Sequence, residues 1–431
     1  MTTPRRSFDR SMAMLARARR SIPGASQTLS KGADMFIEGA YPAFLQRGQG
    51  CRVWDVDGAE YVDYILGLAS ITLGYAYPAV TEAVARQLGE GSIFSLPHPL
   101  EVEVAERLIE VIPCAEWARF FKTGSEANSA AIRVARAHTG RDVVLYNGYH
   151  GWADWYAITT PRSKGIPKDS ARFLVPFDYN DLPSLERALD EHDGNVAAVI
   201  MEAVLLDAPV PGFLEGVKTL AHDHGALLIF DEIVTGFRWA LGGAQEYFRV
   251  VPDLATFGKG MANGLPLSAI VGRADLRRQF EEVFVSSTFG GDTLALAAAL
   301  ATMDEYRRQP VIAQLWDVGR RFQEGFKRIV AAAGVRADCV GFPVHPKIVF
   351  RHAKDETNRA LMSLFLQETA RRGVLFHFAG FNTSFSHSDA DVDQSLAACE
   401  AALRIVGEAQ AEGRVAARLE GKPYGEVFKR S

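Results

Sequence analysis

ALLIFDEIVTGFRWALGGAQEYFRVVPDLATFGK, residues 226–259, holds two short apolar runs that each end on a residue able to do chemistry. Ala226–Phe230 stops at Asp231-Glu232, and Leu254–Phe257 leads through Gly258 to Lys259. Runs this short and this apolar read as strands buried on both faces, the habit of a parallel sheet covered by helices. In such sheets ligands bind beyond the carboxyl ends of the strands. The acid and the lysine stand at that edge.

The same pattern extends outward. Further strand candidates are Trp117–Phe121, Val143–Tyr146, Ala197–Met201 and Ser268–Val271, with helical spacing over Ala127–His138 and Leu182–His192. The expected fold class is therefore α/β: a mostly parallel sheet with helices on both faces. After about Tyr306 the pattern changes to a helix over Val311–Ala333, short strands near Lys347–Phe350 and Gly373–Phe376, and a closing helix over Asp389–Glu408. That is a smaller α+β unit. The segment CRVWDVDGAEYVDY, with Asp57-Gly58 at its centre, reads as a hairpin packing with it. The expected domains are an N-terminal segment 1–65, a large domain 66–306 and a small domain 307–431.

At 431 residues, 48% hydrophobic and 23% charged, the chain has the balance of a globular enzyme of more than one domain. A net charge of −5 gives no electrostatic footprint for nucleic acid or an anionic membrane surface. Ser286–Met303 is the most apolar long stretch, but Asp292 and two glycines interrupt it, so a turn and a buried helix are expected. Cys51, Cys114, Cys339 and Cys399 form no CxxC pair, which suits a reducing compartment. The arginine-rich opening, MTTPRRSFDRSMAMLARARRSIPG, has the look of a transit peptide. It reads more simply as a surface helix with Phe8, Met12, Leu15 and Ala16 on one face, ended by Pro23-Gly24. Cytoplasm is the expected compartment.

Three strand ends concentrate the chemistry. After Trp117–Phe121 comes Thr123-Gly124-Ser125-Glu126-Ala127-Asn128, where backbone N–H groups at a helix start could cradle an anion. Alone, that stretch is a capped helix with Ser125 as the N-cap. Asp231 alone is a cap or an ion-pair partner, and Lys259 alone is a solvated loop lysine or a Schiff-base lysine. A nucleotide P-loop is excluded because Asp253 stands where its first glycine belongs and no Ser or Thr follows Lys259. The histidines lack metal-ligand spacing, so no metal is expected. Together, an anion cradle, a carboxylate and a lysine at successive strand ends are what pyridoxal 5′-phosphate (PLP) requires. Asp231 would hold the ring nitrogen, Lys259 would carry the cofactor as an aldimine and shuttle the substrate proton, and Tyr149 would stack on the ring.

Those residues carry a resemblance. PGASQTLSKG, RGQGCRVWDVDGAEYVDY, RFFKTGSEANSAAIRVARAHTGRD, YHGWAD, LLIFDEIVTGFR, PDLATFGKGMANGLPLSAIVGR and SSTFGGDTLALAAAL resemble, in order, the class III PLP-dependent aminotransferases of fold type I. Within them the chain is similar to the glutamate-1-semialdehyde 2,1-aminomutase branch. The resemblance implies that Gly124 and Ser125 bind phosphate, that Tyr149 and Ile233 cover the two ring faces, and that Asp231 and Lys259 act as above. It also implies that Glu202 orients its neighbours, although Ala203 replaces the family proline, and that Thr288 reaches the cofactor phosphate of a second subunit in a homodimer. Two departures stand out. The family's GGNPL reads Gly290-Gly291-Asp292-Thr293-Leu294, which would put an acid and a hydroxyl near a substrate mouth. The aminomutase segment QFEAGF reads FHFAGF, with Ala379 at the expected glutamate, while His377, Asn382 and His387 nearby could touch substrate or simply pack. The implied activity is amino transfer from a small-molecule donor to a carbonyl acceptor through a pyridoxamine form. The alternative is an intramolecular aminomutase. A decarboxylase, a racemase and a catalytically silent relative are further uses of the same fold.

Overall fold

The computed structural model describes residues 6–425, so the first five residues of the arginine-rich opening lie outside the described residues. The described chain divides into two compact units: one runs Pro78–Ile312, and the other takes in the chain up to Tyr77 and again from Ala313.

The discontinuous unit opens with the helix Asp9–Ser21. Phe8, Ser11, Leu15 and Ala18 form its buried face, and Ala16, expected there, is exposed instead. The Asp57 carboxylate accepts from the N–H groups of Arg10 and Ser11 at 2.8 and 2.9 Å, meeting orphan donors of the first turn. Strands β1 (Leu45–Gln49), β2 (Arg52–Asp55) and β3 (Glu60–Asp63) then form an antiparallel meander. The expected Asp57-Gly58 turn joins β2 to β3, with Gly58 at φ 91°, where a side chain would be strained.

In the continuous unit lie β4 (Trp117–Phe121), β5 (Val143–Asn147), β6 (Leu174–Pro176), β7 (Val196–Met201), β8 (Leu227–Asp231), β9 (Leu254–Phe257) and β10 (Ser268–Gly272). They form one sheet in the order β4-β10-β9-β8-β7-β5-β6. β10 is antiparallel to both its neighbours and the other pairings are parallel. Every residue of β7, β8, β9 and β10 is buried, as their unbroken apolar runs demand. The three-residue β6 is the strand without a legible signal. The helix Gly124–Thr139 lies on the sheet through Ala127, Ala130, Ala131, Val134 and Ala135, small residues that let helix and sheet approach closely. Downstream, Ser286–Met303 resolves into a turn and the helix Thr293–Arg308. Among the described residues no helix is long and apolar enough to cross a membrane.

Returning to the first unit, β11 (Ala337–Val340) pairs with β12 (Lys347–Phe350), and β13 (Val374–Leu375) adds to β3 in parallel. The core here is aromatic: Tyr64, Phe322, Phe376 and Phe381 meet with ring centroids 4.9 to 5.6 Å apart. The closing helix Asp389–Ala411 starts on a capping box between Ser388 and Asp391.

Gly319, inside the helix Val311–Ala333, marks the tightest approach in this unit. A Cβ there would overlap the Pro343 carbonyl. Alanine gains about 1 kcal/mol of helix propensity over glycine, but overpacking against backbone costs about 1–3 kcal/mol. Gly319→Ala is therefore expected to lower the urea midpoint, and an unchanged or raised midpoint would contradict the packing described.

Candidate active site

The carboxyl ends of β4, β5, β7, β8 and β9 present, in turn, the helix start at Gly124, the turn Gly148–Gly151, Glu202, Asp231 and Lys259. The helix start departs from the sequence expectation. Thr123, not Ser125, is the N-cap: its hydroxyl accepts from Glu126 N–H, and the Glu126 carboxylate accepts from Thr123 N–H at 2.8 Å. Ser125 is thereby released from capping. Its Oγ accepts from the N–H groups of Trp152 and Ala153, each at 3.2 Å, and so ties the helix start to the loop after β5. That loop passes so close that a Cβ on Gly151 would sit 2.7 Å from Ser125 Oγ, and Gly151 has φ 104°.

Asp231 is buried and receives three donors. His150 Nδ1 lies 2.8 Å and Asn128 Nδ2 2.7 Å from its Oδ2, and Ile233 N–H donates to Oδ1 at 3.1 Å. His150 is wholly buried, and its Nε2 faces the Asn147 carbonyl at 3.0 Å. Asn128 is oriented in turn by Thr256, whose hydroxyl donates to Asn128 Oδ1 at 2.6 Å. His150, Asn128 and Thr256 were not singled out as site residues from sequence. The signal available was modest: Asn128 lies one helical turn beyond Ser125, and His150 is the middle residue of Tyr149-His150-Gly151.

Lys259 sits at φ 41°, a left-handed conformation uncommon for a residue with a Cβ. Burial lowers its amine below the ordinary lysine range, against the opposing pull of the Asp231 and Glu202 charges. Glu202 accepts from Tyr149 N–H at 2.8 Å, and burial, followed by the Asp231 charge, raises its carboxyl. The Tyr149 ring is 53% exposed and stands edge-on to Tyr156 at 5.6 Å. Ile233 lies under the helix start, where a Cβ on Gly124 would meet its Cδ1 at 2.9 Å. Thr288 is placed apart, exposed on the loop before Gly290, with no hydrogen bond to the set among the described residues.

The departures noted from sequence are used locally. Asp292 caps the helix Thr293–Arg308 and pairs with Lys122 at 2.9 Å, and the buried Thr293 hydroxyl donates to the Gly91 carbonyl at 2.8 Å. In the other unit Asn382 is held between His345 and the Ile65 carbonyl, and His387 stacks on Tyr64 at 4.4 Å. Both are packing residues.

These groups suit PLP. Gly124 and Gly151 let the backbone approach Ile233 and Ser125 where a Cβ would collide, Asp231 is braced as an acceptor, Tyr149 is partly exposed beside them, and Lys259 is an amine biased toward its nucleophilic neutral form.

The comparisons agree with the geometry. The family model for class III aminotransferases matches residues 37–403. A glutamate-1-semialdehyde 2,1-aminomutase of Syntrophobacter fumaroxidans is 36% identical, over 92% of this chain and 98% of that protein. A 3-aminobutyryl-CoA aminotransferase of Cloacimonas acidaminovorans is 35% identical, over 92% and 97%. Among solved structures, the FumI protein of Sphingopyxis sp. MTA144, in its PLP internal aldimine form, is similar with a TM-score of 0.89 and 28% identity over 96% of this chain and 99% of that one.

Thr256→Val should leave Asn128 Oδ1 buried without its donor and cost about 1–3 kcal/mol, read as a lower urea midpoint. The depressed Lys259 amine has a sign that can be checked in cofactor-free protein. Below its folded pKa the amine is charged in both states and its burial destabilises in full. As pH rises through that value toward 10.5 the unfolded chain binds the extra proton, so stability is regained. The stability advantage of Lys259→Met should thus shrink as pH rises, and an advantage that grows would contradict the assignment.

Proposed function

Because the chain belongs to the class III aminotransferases, and is thereby a PLP enzyme of fold type I, we propose that it moves an amino group on a small-molecule substrate at Lys259. The observation that carries this reading is the Asp231 carboxylate braced by His150 and Asn128 beside the depressed amine of Lys259. In it, Gly124 and Ser125 would hold the cofactor phosphate, Asp231 the ring nitrogen, Tyr149 and Ile233 the ring faces, and Lys259 the aldehyde group. The bound ring supplies an electron sink for the bond broken at the amine-bearing carbon. With the cofactor bound, the Lys259 amine would take up and return the proton at that carbon. Glu202 orients Tyr149 through the backbone and shares the field of Lys259.

Two uses of this chemistry divide the relatives. The relatives' names favour the intramolecular shift of an aminomutase over the two-substrate transfer expected first from sequence. Transfer between two molecules is supported by one relative's name and by one observation. Set on its shared Ala-Gly-Phe, the aminomutase segment places its glutamate at Phe378 rather than Ala379, and residues 376–386 carry no carboxylate at all. Supplying glutamate 1-semialdehyde to purified enzyme separates the two. Product without any added keto acid or amine supports the shift, whereas a strict need for a second substrate selects transfer. Lys259→Ala should abolish either, and full activity in that variant would overturn the whole reading.

The site is read as shared in a homodimer. Leu88, Leu96, Phe284 and Phe289 are 57% to 84% exposed in the continuous unit, apolar surface that a second subunit would cover. Thr288, beside Phe289, would serve the partner's cofactor. Thr288→Ala should weaken PLP binding about tenfold. At a PLP level that leaves Thr288→Ala largely unloaded, mixing it with Lys259→Ala should restore up to about a quarter of the parent activity, since half of the subunits pair crosswise and each such pair regains one intact site. No recovery on mixing would rule out sharing. All four cysteines are free, which supports the cytoplasm.

A further inference from the structure

The two oxygens of Asp231 are treated differently by the fold. Oδ2 has Asn128 Nδ2 at 2.7 Å and His150 Nδ1 at 2.8 Å. Oδ1 receives only the Ile233 N–H, at 3.1 Å, among the described residues. A carboxylate oxygen has room for about two donors. Oδ2 is therefore full, and Oδ1 keeps one place.

The orientation of the Asn128 amide follows from its surroundings. Its Nδ2 faces two groups that can only accept, Asp231 Oδ2 and the His150 carbonyl at 3.3 Å. The NH₂ end must point there, so the amide oxygen points away. On that side the Thr256 hydroxyl, from β9, donates to Asn128 Oδ1 at 2.6 Å. Asn128 and Thr256 are both buried, so solvent does not substitute for this donor. Polarity thus runs one way, from Thr256 through Asn128 to Asp231. Asn128 also stands four residues after Gly124 in the helix Gly124–Thr139, about 6 Å of helical rise. One rigid element therefore carries both the N–H groups at the cradle and the donor that aims the acid.

We propose that Thr256 and Asn128 are positioning residues for the cofactor ring. The hydroxyl fixes the amide, the amide occupies Oδ2, and Asp231 Oδ1 is thereby reserved for the ring nitrogen. The inference rests on the PLP reading above and extends it to two residues that act only through Asp231. Donors on Oδ2 also hold the negative charge on the carboxylate, which keeps the shared proton on the ring nitrogen rather than on the acid. Without the Thr256 hydroxyl, the amide is free to turn its oxygen toward Asp231. Two acceptors would then face each other, and the carboxylate would lose its direction. A Thr256–Asn128 bond that served packing alone would change stability and leave the ring nitrogen as it was.

Solid-state nitrogen NMR of enzyme loaded with PLP isotopically labelled at the ring nitrogen tests this, together with the dissociation constant for PLP. In the parent the signal should be that of a protonated ring nitrogen. Thr256→Val should move it toward the unprotonated position and weaken PLP binding about tenfold. Thr256→Ser keeps the hydroxyl and should return both readings to the parent values. Asn128→Leu should move the signal at least as far, and it serves as the independent variant if Thr256→Val fails to fold. The proposal is overturned if the variants keep the parent signal, even with weaker binding, because the bond would then be merely structural. It is overturned equally if Thr256→Ser behaves as Thr256→Val does. Borohydride reduction of the loaded parent separates this inference from the reading beneath it. Cofactor fixed on Lys259 leaves the PLP reading standing when the variants fail, whereas cofactor absent from Lys259 removes that reading and this inference with it.

Discussion

The hydrogen bonds that converge on Asp231 are the constraint on which the site depends. A carboxylate at the end of a buried strand has no water to solvate it, so the fold must supply donors. It does so from three places distant in sequence: His150 from the turn after β5, Asn128 from the helix after β4, and the backbone of Ile233. Each donor is itself held, His150 by the Asn147 carbonyl and Asn128 by Thr256 in β9. The network therefore ties together the ends of β4, β5, β8 and β9, the last of which leads to Lys259. A carboxylate braced in this way keeps its direction when a ligand donor arrives, and that preorganisation makes such a group useful.

Close backbone approach is the second requirement. Gly151 crosses Ser125 where no Cβ fits, and Gly124 crosses Ile233 in the same manner. The glycines bring two loops and a strand end within reach of one small ligand, and Thr123 takes over the capping duty that would otherwise occupy Ser125. Lys259 completes the arrangement at a positive φ that open loop would not select. Low helix-start crowding, a braced acid and a desolvated amine are separate local features. Only the sheet, with its carboxyl ends aligned, makes them one site.

The discontinuous unit follows another logic. Its core is a cluster of aromatic rings, and two histidines that looked chemically suggestive in sequence differ in fate. His387 stacks inside the core, while His377 faces a cavity with Lys347.

Much of this protein was decided locally. Short apolar runs at 197–201, 226–230 and 254–257, too short for helices and bounded by turn residues, read as buried strands, so the sheet, its helices and the placement of Asp231 and Lys259 at one edge were legible in the chain. The Asp57-Gly58 turn was legible for the same reason, since few residues accept that backbone. Other features depended on partners far apart in sequence. Nothing in its neighbours says that Asn128 meets Asp231, or that Thr123 rather than Ser125 caps the helix. Hydrogen bonds and desolvation are set by what lies across space, and a three-residue strand such as β6 is held by its neighbour in the sheet rather than by its own composition. Periodicity and backbone preference are properties of a segment; satisfaction of a buried polar group is a property of the whole fold.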